Sequence, residues 1–246
     1  MLRELLQKKK EPANRNYQKE LDRILAEIGA MPDSRPPRLL LHCCCAPCSS
    51  YVLEYLNPYF QITTLFYNPN ISPAAEYEKR KAELQRLIAE MPQKHSIGIC
   101  DCDHDAAAFR EAAAGLEREK EGGKRCDACF ALRLRKAAEA AQRGGYDYFA
   151  STLSISPLKN AQKLNEIGEQ LAAQYGVKHL PNDFKKREGF KRSIDLSKKY
   201  GLYRQNYCGC AFSIRPEKEQ AGSQPEIVAA SIVTGQMNLA GARNAD

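Results

Sequence analysis

The sequence predicts an α/β protein: a mostly parallel sheet with helices on both faces and a reactive site beyond the carboxyl ends of its strands. Three observations carry this. Short apolar or β-branched runs alternate with long helical patterns, the signature of strands joined by helical crossovers. A cysteine-rich run, HCCCAPC (42–48), stands where the first predicted strand ends, the place where such sheets keep their chemistry. The ten cysteines are grouped rather than dispersed: 43, 44, 45 and 48; 100 and 102; 126 and 129; 208 and 210.

Each element has its own signal. Tyr17, Leu21, Ile24, Leu25 and Ile28 share one helical face, closed by Gly29 and by Pro32, Pro36 and Pro37. RLLLHC (38–43) is a strand, and Pro47 with Ser49 and Ser50 opens a helix through Leu56. QITTLFYN (61–68) is the second strand, followed by a helix over 72–91 with Ser72 as its N-cap. A third strand is expected at 94–100 and a helix at 103–115. Residues 126–145 form a strong helix stopped by Gly144-Gly145. YDYFAST (146–152) is a strand, 156–176 a helix opening on Ser-Pro, and VKHLPND (177–183) a last strand. After Pro216 the chain turns small and polar. The expected organisation is an N-terminal helical extension (1–35), a catalytic α/β domain (36–215) and a loosely attached tail (216–246).

Composition narrows the class. Hydrophobic content of 43% and charged content of 27% suit a soluble globular protein. No apolar run is long enough to span a membrane, and the first residues carry no secretion signal, so a cytoplasmic protein is expected. Structural disulfides are rare there, which turns grouped cysteines toward metal or redox chemistry. The net charge is +7, and 184–204 holds eight basic residues against Glu188 and Asp195, six of those seven charges.

The thiols divide by spacing. Cys126-x-x-Cys129 starts a helix, where unpaired N–H groups, the dipole, Lys124 and Arg125 favour thiolate. Together with the run at 43–48 it suits a [4Fe–4S] cluster, a zinc ion or separate redox pairs. Cys208-Gly-Cys210 closes only a small, strained disulfide of the labile kind, or supplies two further metal ligands. Cys100-Asp-Cys102 lacks the glycine; Asp101 and Asp103 raise its thiol pKa values, and it reads as incidental. His42 reads as a hydrogen-bonded orienting residue rather than a proton donor or ligand. Cys45-Ala-Pro-Cys48 resembles the thioredoxin-like Cys-x-Pro-Cys, which makes a thiol–disulfide oxidoreductase a rival reading.

HCCCAPC (42–48), RCDACFALRL (125–134), STLSISPLKN (151–160) and YCGCAFS (207–213) together resemble the QueH family of epoxyqueuosine reductases, over roughly residues 38–213. The resemblance implies a Rossmann-like (HUP-type) fold and a [4Fe–4S] cluster. It also implies removal of the epoxide oxygen from epoxyqueuosine at the wobble position of tRNA, the last step of queuosine biosynthesis. By motif, Cys44, Cys45, Cys126 and Cys129 match cluster ligands, and Cys208 and Cys210 a redox-active pair. Cys48 matches a position serving a second metal, iron or zinc. Cys43 lies outside the family signature. The reaction takes two electrons and two protons, so an external electron donor is implied.

The basic segment then has a use. Lys185, Lys186, Arg187, Lys191 and Arg192, with Phe184, Phe190, Tyr200 and Tyr203 between and beyond them, are expected to hold phosphates and stack bases of the anticodon loop. A nucleotide-using relative would carry a Gly-rich or Ser-Gly-Gly loop after the first strand. CCCAPCSS stands there, so no nucleoside triphosphate is expected. The non-enzymatic rival is a zinc-stabilised RNA-binding protein.

Overall fold

The computed structural model describes residues 15–31, 35–100 and 102–214. Five parallel strands form one sheet in the order β3–β2–β1–β4–β5. They are β1 (Arg38–His42), β2 (Gln61–Leu65), β3 (Gly98–Cys100), β4 (Tyr148–Ser151) and β5 (Lys178–His179). Among the described residues seven α-helices surround them: α1 (Tyr17–Gly29), α2 (Ala46–Leu56), α3 (Ala74–Glu90), α4 (Ala106–Ala113), α5 (Lys124–Arg143), α6 (Ala161–Tyr175) and α7 (Gly189–Lys199). Of the expected N-terminal extension (1–35), residues 1–14 and 32–34 lie outside the described residues, as does the whole expected tail (216–246). Among the described residues no helix is long and apolar enough to cross a membrane.

Strand β1 organises both faces because its side chains alternate. Leu39 and Leu41 join the apolar layer containing Leu21, Leu53, Leu84 and Phe184, from α1, α2, α3 and the approach to α7. Leu40 joins the opposite layer with Phe130, Leu134 and Leu164, from α5 and α6. The chain steps outward from β1 through β2 to β3, then returns to place β4 on the other flank of β1. This reversal leaves a crevice beyond the carboxyl ends of β1 and β4, the switch point where open α/β sheets bind ligands.

Several boundaries differ from the sequence pattern, each for a local polar reason. Ser72 does not cap α3, which begins at Ala74 behind Pro73; the Ser72 N–H instead donates to the Gly209 carbonyl at 2.9 Å. Helix α6 begins at Ala161, not 156. Asn160 caps it by accepting from the Lys163 N–H at 3.1 Å, while Ser156 accepts from the Leu158 N–H in a local turn. The last strand shrinks to two residues because Pro181 has no N–H to donate and Asn182 is drawn into a buried network with Asn165 and Ser154.

A close approach fixes the α6–β5 packing. A Cβ built on Gly168 would lie 2.4 Å from the His179 ring. Gly168→Ala should therefore destabilise the protein by about 1–3 kcal/mol through overpacking, despite the better helix propensity of alanine. In a His179→Ala background the same substitution should be neutral or stabilising. Denaturant midpoints of the four proteins check this; equal effects in both backgrounds would refute it.

Candidate active site

Past His42 the chain leaves the sheet, and the alternation of β1 decides what each thiol meets. Cys43 donates its N–H to the Leu65 carbonyl at 2.9 Å, and its side chain is fully buried in the α2 layer, where burial pushes the thiol pKa up. It is a core residue. Cys44 faces the α5 side, Cys45 is the N-cap of α2, and Cys48 follows in the helix's first turn. The sulfurs of Cys44, Cys45 and Cys48 all lie within 4.8 Å of one another, a triad able to hold a metal ion. Cys44 Sγ is 3.9 Å from Cys45 Sγ and 3.7 Å from Oγ1 of Thr152, in the turn after β4.

Helix α5 supplies the facing wall. Cys126, Cys129 and Arg133 are spaced i, i+3, i+7 and share one face of the helix. Arg133 is 1% exposed. Its Nη2 donates to Asn68 Oδ1 at 2.5 Å, its Nε to His42 Nε2 at 3.3 Å, and its Nη1 to Cys129 Sγ at 4.0 Å. None of these partners is a carboxylate. A buried cation demands compensating negative charge, and the acidic groups that act on it are the thiols of Cys129, Cys44 and Cys208.

His42 is fully buried, with Nδ1 2.8 Å from Ser151 Oγ and Nε2 3.0 Å from the Tyr67 carbonyl oxygen. Burial and the Arg133 charge push its pKa down to about 3, so the ring is neutral at pH 7. It orients the end of β1 against β4.

The thiols are tuned apart. Hydrogen bonds from the Cys45 and Cys48 thiols, helped by the charges of Lys159 and Arg133, hold Cys44 well below the usual thiol range. Sharing its proton with Cys44 pushes Cys45 up to about 12, and the same contact raises Cys48. The expectation for α5 is corrected. Cys126 does accept the Gly122 N–H at 3.2 Å, yet burial raises its pKa, and burial pushes Cys129 up to about 12. Desolvation outweighs the helix end there. Arg125 turns away to the carbonyls of Leu116, Glu117 and Glu119. Cys102 is pushed up to about 11 by burial, then by Cys100, not by the neighbouring aspartates; its thiol donates to the Phe66 carbonyl at 3.1 Å.

Cys208 and Cys210 enter on a tight loop. Gly209 has φ +125°, a conformation that side chains disfavour, and a Cβ there would lie 2.9 Å from Ile71. Arg80 Nη1 donates to the Cys208 carbonyl at 3.1 Å. None of the ten cysteines is in a disulfide. Cys208 borders two adjoining cavities. The larger, about 160 Å³, is also lined by Cys44, Cys48, Arg80, Arg133 and Lys159. The smaller, about 20 Å³, lies among Cys126, Cys129, Cys208 and Cys210. It is also lined by Asn70, whose buried Oδ1 has no partner among the described residues. The four expected cluster ligands thus fall in two neighbouring groups: Cys44 and Cys45 with Cys48, and Cys126 and Cys129 with Cys208 and Cys210.

The basic segment is partly spent within the molecule. Lys185 pairs with Asp183 at 2.6 Å, Arg187 with Asp22, and Arg192 with Glu54 at 2.7 Å. Lys191 makes only an exposed 3.5 Å contact with Glu188. Phe184 cannot stack a base: it is 1% exposed, packed in the core. The Tyr203 hydroxyl donates to Glu76 at 3.2 Å. Phe190 does line the larger cavity. The sequence reading missed Arg133, Arg80 and Lys159. The first two carried a signal, since each falls on the apolar stripe of its helix, Arg80 with Tyr77, Leu84 and Leu87.

Fold and site together define a Rossmann-like α/β protein with thiols gathered at the switch point beside buried cations. The family model described as "Epoxyqueuosine reductase QueH" matches residues 39–216. Epoxyqueuosine reductase QueH of Staphylococcus epidermidis is 43% identical over 202 residues, covering 80% of this chain and 84% of the relative. That of Streptococcus pyogenes is 40% identical over 206 residues, 82% of this chain and 81% of the relative. The Thermotoga maritima protein of that name is 34% identical over 188 residues, 74% and 93% respectively. The chain belongs to the QueH family.

The tuning predicts selective reactivity in metal-free protein. With its pKa held well below the usual thiol range, Cys44 should be alkylated fastest by iodoacetamide at pH 7, and its rate should rise least from pH 7 to 9. Labelling of the raised thiols should climb about tenfold per pH unit. Lys159→Gln should slow Cys44 at pH 7. Peptide mass spectrometry reads the rates; Cys44 reacting no faster than Cys48 would contradict the assignment.

Proposed function

We propose that this chain is an epoxyqueuosine reductase acting on tRNA in the cytoplasm. The carrying observation is the set of thiols around the buried, carboxylate-free Arg133, at the wall of a cavity open to substrate. The reaction breaks both C–O bonds of the epoxide, forms the alkene of queuosine, takes up two electrons and two protons and releases water.

The residues suit a thiolate-bound metal group. A tetrahedral ion with bonds of about 2.3 Å to sulfur spaces its ligands roughly 3.8 Å apart, near the spacing of the Cys44–Cys45–Cys48 triad. That spacing suits ligands of one ion; the family motifs, not the spacing, are the ground for the fuller reading, in which Cys44, Cys45, Cys126 and Cys129 hold a [4Fe–4S] cluster and Cys48 serves a second metal, iron or zinc, beside it. Bound there, the cluster would supply electrons one at a time, and the second metal a Lewis-acidic site for oxygen. Arg133 offsets the negative charge of the thiolates, which desolvation alone would expel.

Cys208 and Cys210 match the electron count. Oxidation of the dithiol to a disulfide releases two electrons and two protons, the amounts the epoxide consumes. Cys208 lines the substrate cavity, so the pair acts as relay, re-reduced by an external donor. Lys159, on the same wall as Cys44 and Cys48, brings positive charge to the space where the epoxide oxygen becomes anionic.

The RNA lies over the cavity mouth. Lys186, Lys191 and Arg192 are exposed around the start of α7, whose Phe190 and Ser193 line the cavity. They take phosphates of the anticodon loop, with Lys185 and Arg187 held in place by their ion pairs. None of these observations favours a thioredoxin-like oxidoreductase or a zinc-stabilised RNA-binding protein.

The test is turnover. Anaerobic, iron-loaded wild type with a chemical reductant should convert epoxyqueuosine to queuosine in tRNA, read by nucleoside analysis. Cys208→Ser with Cys210→Ser should fall below about a tenth of that rate, at least about 1.4 kcal/mol of barrier. Full turnover in the double variant would remove the relay; no conversion by loaded wild type would remove the function.

A further inference from the structure

The larger cavity holds more cation than its thiols engage. Arg80, Arg133, Lys159 and Arg204 line it, and Glu121 is its one carboxylate among the described residues. Arg133 is committed to Cys129, Asn68 and His42. Lys159 and Arg204 make no ion pair with a carboxylate among the described residues.

Arg80 is built differently from a surface arginine. It is 2% exposed and held on three sides: Nε donates to Glu76 Oε1 at 2.7 Å, Nη1 to the Cys208 carbonyl at 3.1 Å, and the guanidinium sits 5.0 Å from the Tyr207 ring centroid. Its remaining nitrogen, Nη2, is buried and has no partner among the described residues. An unpaired buried donor on a charged group is costly, and this one belongs to a side chain that cannot swing out to solvent without breaking three contacts.

The group that completes it must be an acceptor and an anion, because Lys159 and Arg204 share the same cavity. A rigid guanidinium edge with flanking cations is suited to phosphate oxygens. The rings of Tyr207 and Phe190 in the same wall offer faces to a nucleobase. We infer that Arg80 Nη2, with Arg204, grips one of the two phosphodiesters flanking the nucleotide whose base enters the cavity. The inference rests on the proposed action on tRNA and deepens it. The grip registers the strand, so that the modified base is presented to Cys44, Cys48 and Cys208. Because Arg80 also holds the Cys208 carbonyl, the same side chain fixes the strand and the dithiol loop relative to each other.

Binding of a synthetic anticodon stem–loop carrying epoxyqueuosine tests this, with the iron-loaded full chain. Three RNAs are compared: the natural one, and one each with an uncharged methylphosphonate 5′ or 3′ of the modified nucleotide. One of the two neutral linkages should weaken wild-type binding about tenfold, the scale of a charged hydrogen bond. In Arg80→Lys, which keeps a cation for Glu76 but has no second terminal nitrogen, that penalty should shrink to about twofold. Arg204→Gln, at an exposed position, provides the same comparison without touching the core. Wild type indifferent to both neutral linkages, or variants that keep the full penalty, would overturn the inference. Competition by inorganic phosphate without any linkage effect would also overturn it, marking a site for the free anion only. Reduction of the natural stem–loop by wild type in the same preparation separates the two claims: without it the function fails, with it only the phosphate grip is at stake.

Discussion

The site depends on one buried charge. Arg133 sits in the apolar layer between α5 and β1, and none of its hydrogen-bond partners among the described residues is a carboxylate. Placing an uncompensated guanidinium there costs several kcal/mol, so the surroundings must supply negative charge, and the acidic groups that act on it are thiols. Much of the local electrostatics follows. The arginine helps to keep His42 neutral and helps to hold Cys44 as thiolate. It also pulls against the burial that would keep Cys129 protonated. A set of thiolates gathered on a metal answers such a cation better than scattered thiols, each of which would have to ionise alone.

Topology explains why the thiols meet although they come from three distant parts of the chain. The period of two along β1 sends Cys43 into one layer and Cys44 toward the other, so adjacent cysteines have unrelated roles. The switch between β1 and β4 opens a crevice that α5 closes with Cys126 and Cys129. The Cys208–Cys210 loop lies in no strand or α-helix; Ser72 and Arg80 of α3 tie it in, and glycine at 209 lets the backbone turn between the two sulfurs.

Much of this was legible beforehand. The alternation of strand and helix signals gave all five strands and six of the seven helices, because hydrophobic period is set locally; α7 was hidden in the segment read for its charge. Ends were less legible where a side chain from elsewhere takes over the backbone, as at Asn160 and Asn182. The cysteines announced themselves by spacing, but their acidity did not: exposure is a tertiary quantity, and it reversed the expectation for Cys126. The basic segment looked freer than it is because Asp22 and Glu54, which hold Arg187 and Arg192, are more than a hundred residues away in sequence. Arg133 and Arg80 were missed for a simpler reason. Arginine on a helix is ordinarily solvated, and only its place on the apolar stripe distinguishes these two.

The most direct test of the charge argument is iron and labile sulfide analysis on anaerobically reconstituted wild type and Arg133→Gln, with circular dichroism confirming that both are folded. Wild type should hold about four irons and four sulfides per chain, as a cubane cluster requires. The variant, folded but without the buried cation, should lose most of them. A variant that keeps the full complement, or a wild type that takes up none, would contradict the account.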